Sequence, residues 1–392
     1  MSQYENFKKL RLMVPAANES AYFDTAATGL IPDFVYEGVS RYLYRRYHNV
    51  IDEGWKCDSN IGYGFTEMID WSKTNLSRMI NCNKDNIFFG SNSSQLFSII
   101  TSSIDLNPGD NVILPDNGWM SNRFAWQMRE IDGVELRFAK TEKGVLLPET
   151  VFELCDDKTK AVSLSYVESS TGFRCDTRKI GEFCRKHGIW FVLDGVQALG
   201  VLNIDAAKEN IDYLVGNDYK WMMNFSGIGF AYISNKLMKT LNSKQVGWMS
   251  DDERFNTNKW HISLRSDAGK YETGYPNVSG IYGLGLVAAN YNQLGDKAIE
   301  DYVLDLTEYL YEKVRHCDVL QLIYDYPREQ RSTLIYLRIL DDTITNEFLM
   351  EKGVFTQIKE KNGCRYTRIS IHYYNNKTDI DKLIEAFEGE LK

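Results

Sequence analysis

Two residues stand out for their chemistry, a carboxylate and an amine at the ends of neighbouring apolar runs. Asp194 closes Ile189-Trp-Phe-Val-Leu193 and opens Asp194-Gly-Val-Gln197, while Lys220 ends Val215-Gly-Asn-Asp-Tyr-Lys220 just before Trp221-Met-Met. An unbroken apolar run reads as a central parallel strand, and a carboxylate at its end needs a positive partner. A protonated pyridine nitrogen is such a partner. Lys220 follows the run Tyr213-Leu-Val-Gly216, so its stem is packed and its amine is held away from bulk water. A desolvated lysine has a lowered pKa and condenses with an aldehyde to a Schiff base. Pyridoxal phosphate carries both a ring nitrogen and an aldehyde. Each residue alone also has a plain structural use: Asp before Gly caps a helix or closes a turn, and Lys beside Trp lies over an aromatic ring at the surface. The pairing favours the chemical reading.

A cofactor phosphate calls for backbone N–H groups at a helix N-terminus, and Phe88-Phe-Gly-Ser-Asn-Ser-Ser-Gln95 gives a strand, a small-residue turn and the start of a helical run. Ser93, Ser94 and Gln95 form the candidate cradle, although the same residues serve equally as an ordinary serine cap. A dinucleotide site fits less well. No GxGxxG follows a strand near the start of the α/β unit, and Ser226-Gly-Ile-Gly229 falls after Lys220 inside an expected hairpin.

Positioning these groups requires a sheet. Strand-like runs at Ile87-Phe-Phe, Asn111-Val-Ile-Leu, Ala161-Val-Ser-Leu-Ser, Trp190-Phe-Val-Leu, Tyr213-Leu-Val and Ile228-Gly-Phe-Ala-Tyr-Ile alternate with amphipathic stretches such as 178–187. That alternation predicts an α/β unit with a mostly parallel sheet. Beyond Lys270 the pattern changes to helices at 281–293, 301–315 and 378–391 with strands near Thr333 and Tyr366, which predicts a smaller C-terminal α+β unit.

At 392 residues and 43% hydrophobic content the chain can build two domains. A net charge of -9 with scattered Lys and Arg disfavours a nucleic-acid or anionic-membrane partner. No apolar run has transmembrane length and the N-terminus lacks a signal-peptide core, so a cytoplasmic location is expected. Seven cysteines without CxxC spacing read as free thiols, and with only five histidines no metal site is expected.

Several motifs carry a family resemblance over nearly the whole chain: Tyr22-Phe-Asp-Thr-Ala-Ala-Thr-Gly29, Gly109-Asp-Asn-Val-Ile, Ser170-Thr-Gly-Phe-Arg-Cys-Asp176, the Asp194-Gly-Val-Gln197 segment, Glu272-Thr-Gly-Tyr-Pro-Asn-Val-Ser-Gly-Ile-Tyr-Gly-Leu-Gly285 and Arg368-Ile-Ser-Ile-His-Tyr-Tyr-Asn375. The sequence resembles the class V aminotransferase and cysteine desulfurase group of fold-type I pyridoxal phosphate enzymes. The resemblance implies a large cofactor domain over 21–270 with a mostly parallel seven-stranded sheet, and a small α+β domain over 271–392. The N-terminal segment 1–20 is expected to pack with the small domain, and the protein to form a homodimer with shared active sites.

The resemblance also assigns roles. Lys220 carries the cofactor and moves the Cα proton, Asp194 pairs with the pyridine nitrogen, and Gln197 sits near the phenolic oxygen. Ser93, Ser94, Gln95 and Asn217 hold the phosphate, with Thr273 to Asn277 reaching it from a second subunit. Ser169 joins the cofactor contacts, Arg368 grips the substrate carboxylate, and Ala27 and Asn122 line the substrate side. Arg368 also reads as a structural ion pair at a domain edge. The chain departs from the family pattern in three places. Trp119 stands where many relatives stack a histidine on the ring, Tyr219 where many have a histidine before the lysine, and Tyr275 where a small hydroxyl residue is expected on the phosphate.

A Cα carbanion on such a cofactor allows transamination, epimerisation or β-elimination. Desulfurases of this group add a cysteine nucleophile on a mobile loop, and the one candidate, Cys364, stands only four positions before Arg368 and reads better as a strand-entry residue. Transamination of an α-amino acid is therefore the leading expectation. A β-lyase (C–S lyase), epimerase or cysteine desulfurase is the alternative, and a non-catalytic cofactor-binding protein the reading from another class. The segments 47–63 and 247–265 are expected to carry the side-chain pocket.

Overall fold

The structure is a computed structural model that describes residues 5–48 and 65–389. The expected pocket segment 47–63 therefore lies, from residue 49 onward, outside the described residues, as do the first four residues of the N-terminal segment. Among the described residues the strands, in chain order, are β1 (Ala21–Tyr22), β2 (Ile87–Gly90), β3 (Asn111–Pro115), β4 (Glu135–Ala139), β5 (Thr159–Ser165), β6 (Trp190–Asp194), β7 (Tyr213–Asn217) and β8 (Gly229–Ile233). They continue with β9 (Leu320–Leu322), β10 (Leu334–Ile339), β11 (Val354–Phe355), β12 (Ile358–Lys361) and β13 (Cys364–Ser370).

A seven-stranded sheet in the order β2-β8-β7-β6-β5-β3-β4 forms the large part of the fold, parallel except at β8, which runs antiparallel to both neighbours. The inner strands β3, β6 and β7 are buried almost throughout because helices cover both faces. Alternate residues enter different clusters: Val192 and Val215 pack on one side, Phe191, Leu193 and Leu214 on the other. β4 is the one strand of this sheet that the sequence pattern does not predict. It lies at the sheet edge with Glu135 exposed and Leu136, Arg137 and Phe138 half-buried, which leaves no clean apolar signal.

Local chemistry sets the helix ends that matter. The helix Ser93–Ser103 starts at Asn92, whose side chain accepts from the Gln95 N–H. The helix Thr177–His187 runs from the Asp176 cap to left-handed Gly188. The helix Val278–Leu294, capped by Asn277, is mostly buried and packs against the helices Asp33–Tyr47 and Phe65–Met79.

The C-terminal part has its own four-stranded antiparallel sheet, β12-β13-β10-β9, and its own apolar cluster including Ile335, Leu337, Ile369, Leu383 and Phe387. The N-terminal segment returns to it. β1 pairs in parallel with β11, and Arg11 forms an ion pair with Asp379 at 2.6 Å.

Candidate active site

β6 and β7 run parallel with Asp194 level with Val215, so Asp194 and the turn after Asn217 emerge at the same carboxyl edge. Lys220 follows in that turn. The Asp194 carboxylate is buried and accepts the Val196 N–H at 2.9 Å. Burial pushes its pKa up to about 6, while that hydrogen bond and the charge of Lys220 pull it back. Burial acts in the opposite direction on Lys220 and brings its ammonium down to about 8, with Asp194 opposing and Arg368 reinforcing the shift. The amine lies 5.9 Å from the Trp119 ring centroid and 6.0 Å from that of Tyr219. Two of the three aromatic departures from the family pattern thus stand beside the lysine.

Backbone contacts hold this turn on its N-terminal side. The Gly29 N–H donates to the Tyr219 carbonyl at 2.7 Å, and any Cβ at Gly29 would collide with the Lys220 carbonyl oxygen. The Gln197 amide nitrogen donates to the Ala26 carbonyl at 3.4 Å and its oxygen accepts the Trp221 indole N–H at 2.8 Å. Ala27, half-buried, is the next residue in that segment. Behind Trp221 lies His372, fully buried, whose Nε2–H donates to the Trp221 carbonyl at 3.0 Å while Nδ1 has no partner among the described residues. Burial pulls the His372 pKa down to about 3, so this imidazole stays neutral.

The prospective phosphate end lies at the same edge. Gly90, Gly229 and Asn217 stand side by side across β2, β8 and β7, and a Cβ at Gly229 would meet the Gly216 carbonyl at 3.0 Å and Asn92 backbone at 3.3 Å. The N-terminus of Ser93–Ser103 can therefore seat against the strand ends. Ser94 donates to Ser121 at 2.9 Å. Gln95 is more committed than the sequence suggests: Asn92 takes its N–H, and its side-chain oxygen accepts from Ser91 N at 2.7 Å. Thr273 and Tyr275 are exposed on the turn before the helix Val278–Leu294, and the Asn277 side chain donates to the Gly227 carbonyl at 3.3 Å.

Arg368 on β13 faces the site from the small sheet, close enough to Lys220 to lower its pKa. Directly opposite it on β10 is Tyr336, whose hydroxyl donates to the Ser169 carbonyl. Ser169 itself bonds weakly to Glu168 at 3.4 Å. Asn122 is buried, and its side-chain oxygen accepts from Ser163 on β5 at 2.7 Å, which anchors its helix to the sheet. Cys364 opens β13 opposite Lys361 in a hairpin closed by Asn362 and Gly363, both at left-handed φ (54° and 71°).

Three further groups escape a reading by sequence pattern. Glu168 is buried near Asp194, and burial raises its pKa to about 7. Asp218, buried next to Tyr219, accepts the Ile228 N–H at 3.0 Å and is likewise raised to about 7. The third is His372, bonded to the Trp221 carbonyl just after the lysine. Asp218 lies within the Val215–Lys220 stretch and His372 within the Arg368–Asn375 motif, but nothing in the local spacing separates them from surface polar residues.

The donor set fits pyridoxal phosphate. A buried carboxylate is available to a ring cation, a depressed lysine to an aldehyde, and a helix N-terminus among serines to a phosphate. Sequence comparison decides the family: the profile described as Aminotransferase class-V matches residues 21–383. The chain belongs to the class-V aminotransferase family. It is a pyridoxal phosphate-dependent enzyme with the fold-type I architecture. Class-V relatives include a probable cysteine desulfurase of Borreliella burgdorferi, 27% identical over 100% of this chain and 98% of its own. Another, from Methanothermobacter thermautotrophicus, is 23% identical over 97% and 96%. The fold is shared with an apo cysteine desulfurase from Thermococcus onnurineus (TM-score 0.83, 19% identity, 97% and 96% covered). It is shared equally with the cystine C–S lyase C-DES in complex with its product cysteine persulfide (TM-score 0.83, 18% identity, 96% and 99% covered). These names concern sulfur chemistry rather than transamination. No helix among the described residues is long and apolar enough to cross a membrane.

Proposed function

We propose that this class-V enzyme cleaves the carbon–sulfur bond of cysteine or a cysteine-derived amino acid by β-elimination, with sulfur departing on a small-molecule fragment. The relatives' names favour sulfur chemistry over the transamination expected from sequence, and the seat of Cys364 favours elimination over persulfide transfer. A desulfurase thiol must attack the substrate sulfur. Cys364 is held in a paired strand beside a two-residue turn, about 13 Å along β13 from Arg368, four residues away. Among the described residues it sits in a strand pair and not in a loop.

When bound, pyridoxal phosphate supplies an aldehyde for amines and a ring that takes up the electron pair left at Cα. The protein's residues do the rest. Lys220, with its depressed pKa, holds and moves the Cα proton. Asp194 would hold a proton on the ring nitrogen, and Trp119, beside Lys220, would shield the ring from water. Gln197 would lie near the phenolic oxygen, Ser169 would join the cofactor contacts, Ser93, Ser94 and Asn217 would hold the phosphate, and Arg368 would grip the substrate carboxylate by a two-pronged contact. The Cβ–S bond breaks with its electron pair on sulfur, and the enamine left behind hydrolyses to keto acid and ammonia.

A homodimer completes the proposal. Thr273 and Tyr275 are exposed in the single chain and available to a partner's phosphate end, and the exposed Tyr36, Leu43, Tyr44 and Trp260 offer apolar surface for a second copy.

The deciding experiment feeds the holoenzyme L-cysteine and L-cystine, with and without a keto-acid acceptor. Pyruvate with equimolar ammonia is expected, and Cys364→Ala should retain it. Alanine as product, lost in Cys364→Ala, would establish sulfur transfer to the protein instead; amine passing to the acceptor would establish transamination.

A further inference from the structure

Arg368 already has a carboxylate partner within the protein. Its Nη2 lies 3.2 Å from Oδ1 of Asp24, with both side chains about 15% exposed (15% and 14%). The other oxygen of Asp24 accepts from the Gln357 amide at 2.7 Å. Backbone pairing fixes this carboxylate in place: Asp24 bridges Ser370 in parallel, the Phe23 N–H donates to the Phe355 carbonyl, and the Ser370 N–H donates to the Phe23 carbonyl. The Asp24 carbonyl then accepts from Ala27 and Thr28 N–H at 2.9 and 3.0 Å, starting the turn that ends with Gly29 on the Tyr219 carbonyl. One short segment thus ties the arginine at one end and the lysine turn at the other. Across the sheet, Tyr336 faces Arg368 in register and is itself fastened to Ser169.

We propose that Asp24 is a positioning residue for carboxylate recognition, holding one edge of the Arg368 guanidinium so that its remaining N–H donors face the substrate beside Lys220. The proposal rests on the reading of Arg368 as the carboxylate clamp. A guanidinium on a flexible stem loses its two-pronged geometry when free to rotate, and Asp24 removes that freedom at the cost of part of the charge. Affinity then comes from orientation. The opposite arrangement, in which Asp24 competes with the substrate for the arginine, predicts tighter binding once the Asp24 charge is removed.

The test titrates the holoenzyme with L-cysteine and with cysteamine, which lacks only the carboxylate, and reads the change in the visible cofactor band. Wild type should prefer L-cysteine. Asp24→Asn should reduce that preference about tenfold by raising the half-saturation for L-cysteine alone, with the resting spectrum and cofactor content unchanged. Gln357→Leu loosens Asp24 without removing it and should act in the same direction more weakly, which keeps the test valid if Asp24→Asn folds poorly. An unchanged or lower L-cysteine half-saturation in these variants overturns the role of Asp24. Absence of any preference in wild type, or a preference surviving in Arg368→Leu, overturns the reading of Arg368 itself. Preference erased by Arg368→Leu but untouched in both other variants rejects Asp24 alone.

Discussion

Lys220 and Asp194 share one desolvated corner, and each is driven toward its neutral form: the amine falls to about 8 and the carboxyl rises to about 6. Only the neutral amine attacks an aldehyde. At pH 7 about a tenth of such a lysine is neutral, several hundredfold more than for an unperturbed one. The apo protein should therefore take up pyridoxal phosphate at a rate rising about tenfold per pH unit below 8 and levelling above it, as followed by stopped-flow absorbance. A rate still climbing at pH 10 would show the amine to be unperturbed. Asp194 favours the ammonium, so Asp194→Asn should move the knee of that profile below 8. The same substitution removes the partner of a ring cation. Exchange of the substrate Cα hydrogen in deuterated water should slow by about a hundredfold or more while the cofactor remains bound. Unchanged exchange in a correctly folded variant would remove Asp194 from its proposed role.

Strand ends do most of the positioning, and how far they can be read from sequence depends on burial. β5, β6 and β7 are legible because they are almost wholly buried and so nearly continuous in apolar residues. β4 is illegible because an edge strand tolerates Glu135 and Arg137. The same distinction applies to the site. Asp194 and Lys220 can be read locally, whereas Asp24 gains its meaning from Arg368, 344 positions away, and His372 from the Trp221 carbonyl. Resemblance marks the stretches that contain Asp24 and His372, but only the folded chain supplies their partners. Gly29 shows how tightly these elements meet. Gly29→Ala forces a methyl into the Lys220 carbonyl and should destabilise the apo protein by about 1–3 kcal/mol in urea unfolding, with weakened cofactor retention. Stability and retention equal to wild type would mean that the segment Thr25–Gly29 can draw back from the lysine turn.

At the scale of the whole molecule, Arg368 of the four-stranded sheet comes within electrostatic reach of Lys220 beside the seven-stranded one, and Thr273 and Tyr275 are exposed. The helix Asp33–Tyr47 presents Tyr36, Leu43, Tyr44 and Tyr47 to solvent, and the 247–265 segment adds Trp260 at 93% exposure. So much exposed apolar and aromatic surface suits an interface better than a lone chain. If Thr273 and Tyr275 serve the partner's site, each active site needs the lysine of one chain and the 273–277 turn of the other. That separates two defects that a single-chain site would not separate. Lys220→Ala lacks the amine in both sites of its dimer, and Tyr275→Asp places a repelling charge against the phosphate in both sites of its own. Each homodimer should show little turnover. Dissociated together and reassociated, they should form mixed dimers in which one site combines an intact lysine with an intact turn, restoring up to half of the wild-type activity per mixed dimer. Differently tagged chains allow the mixed species to be isolated before assay. Mixed dimers that form but remain inactive would show that each chain supplies its own turn, and would reject shared sites even if the protein is a dimer.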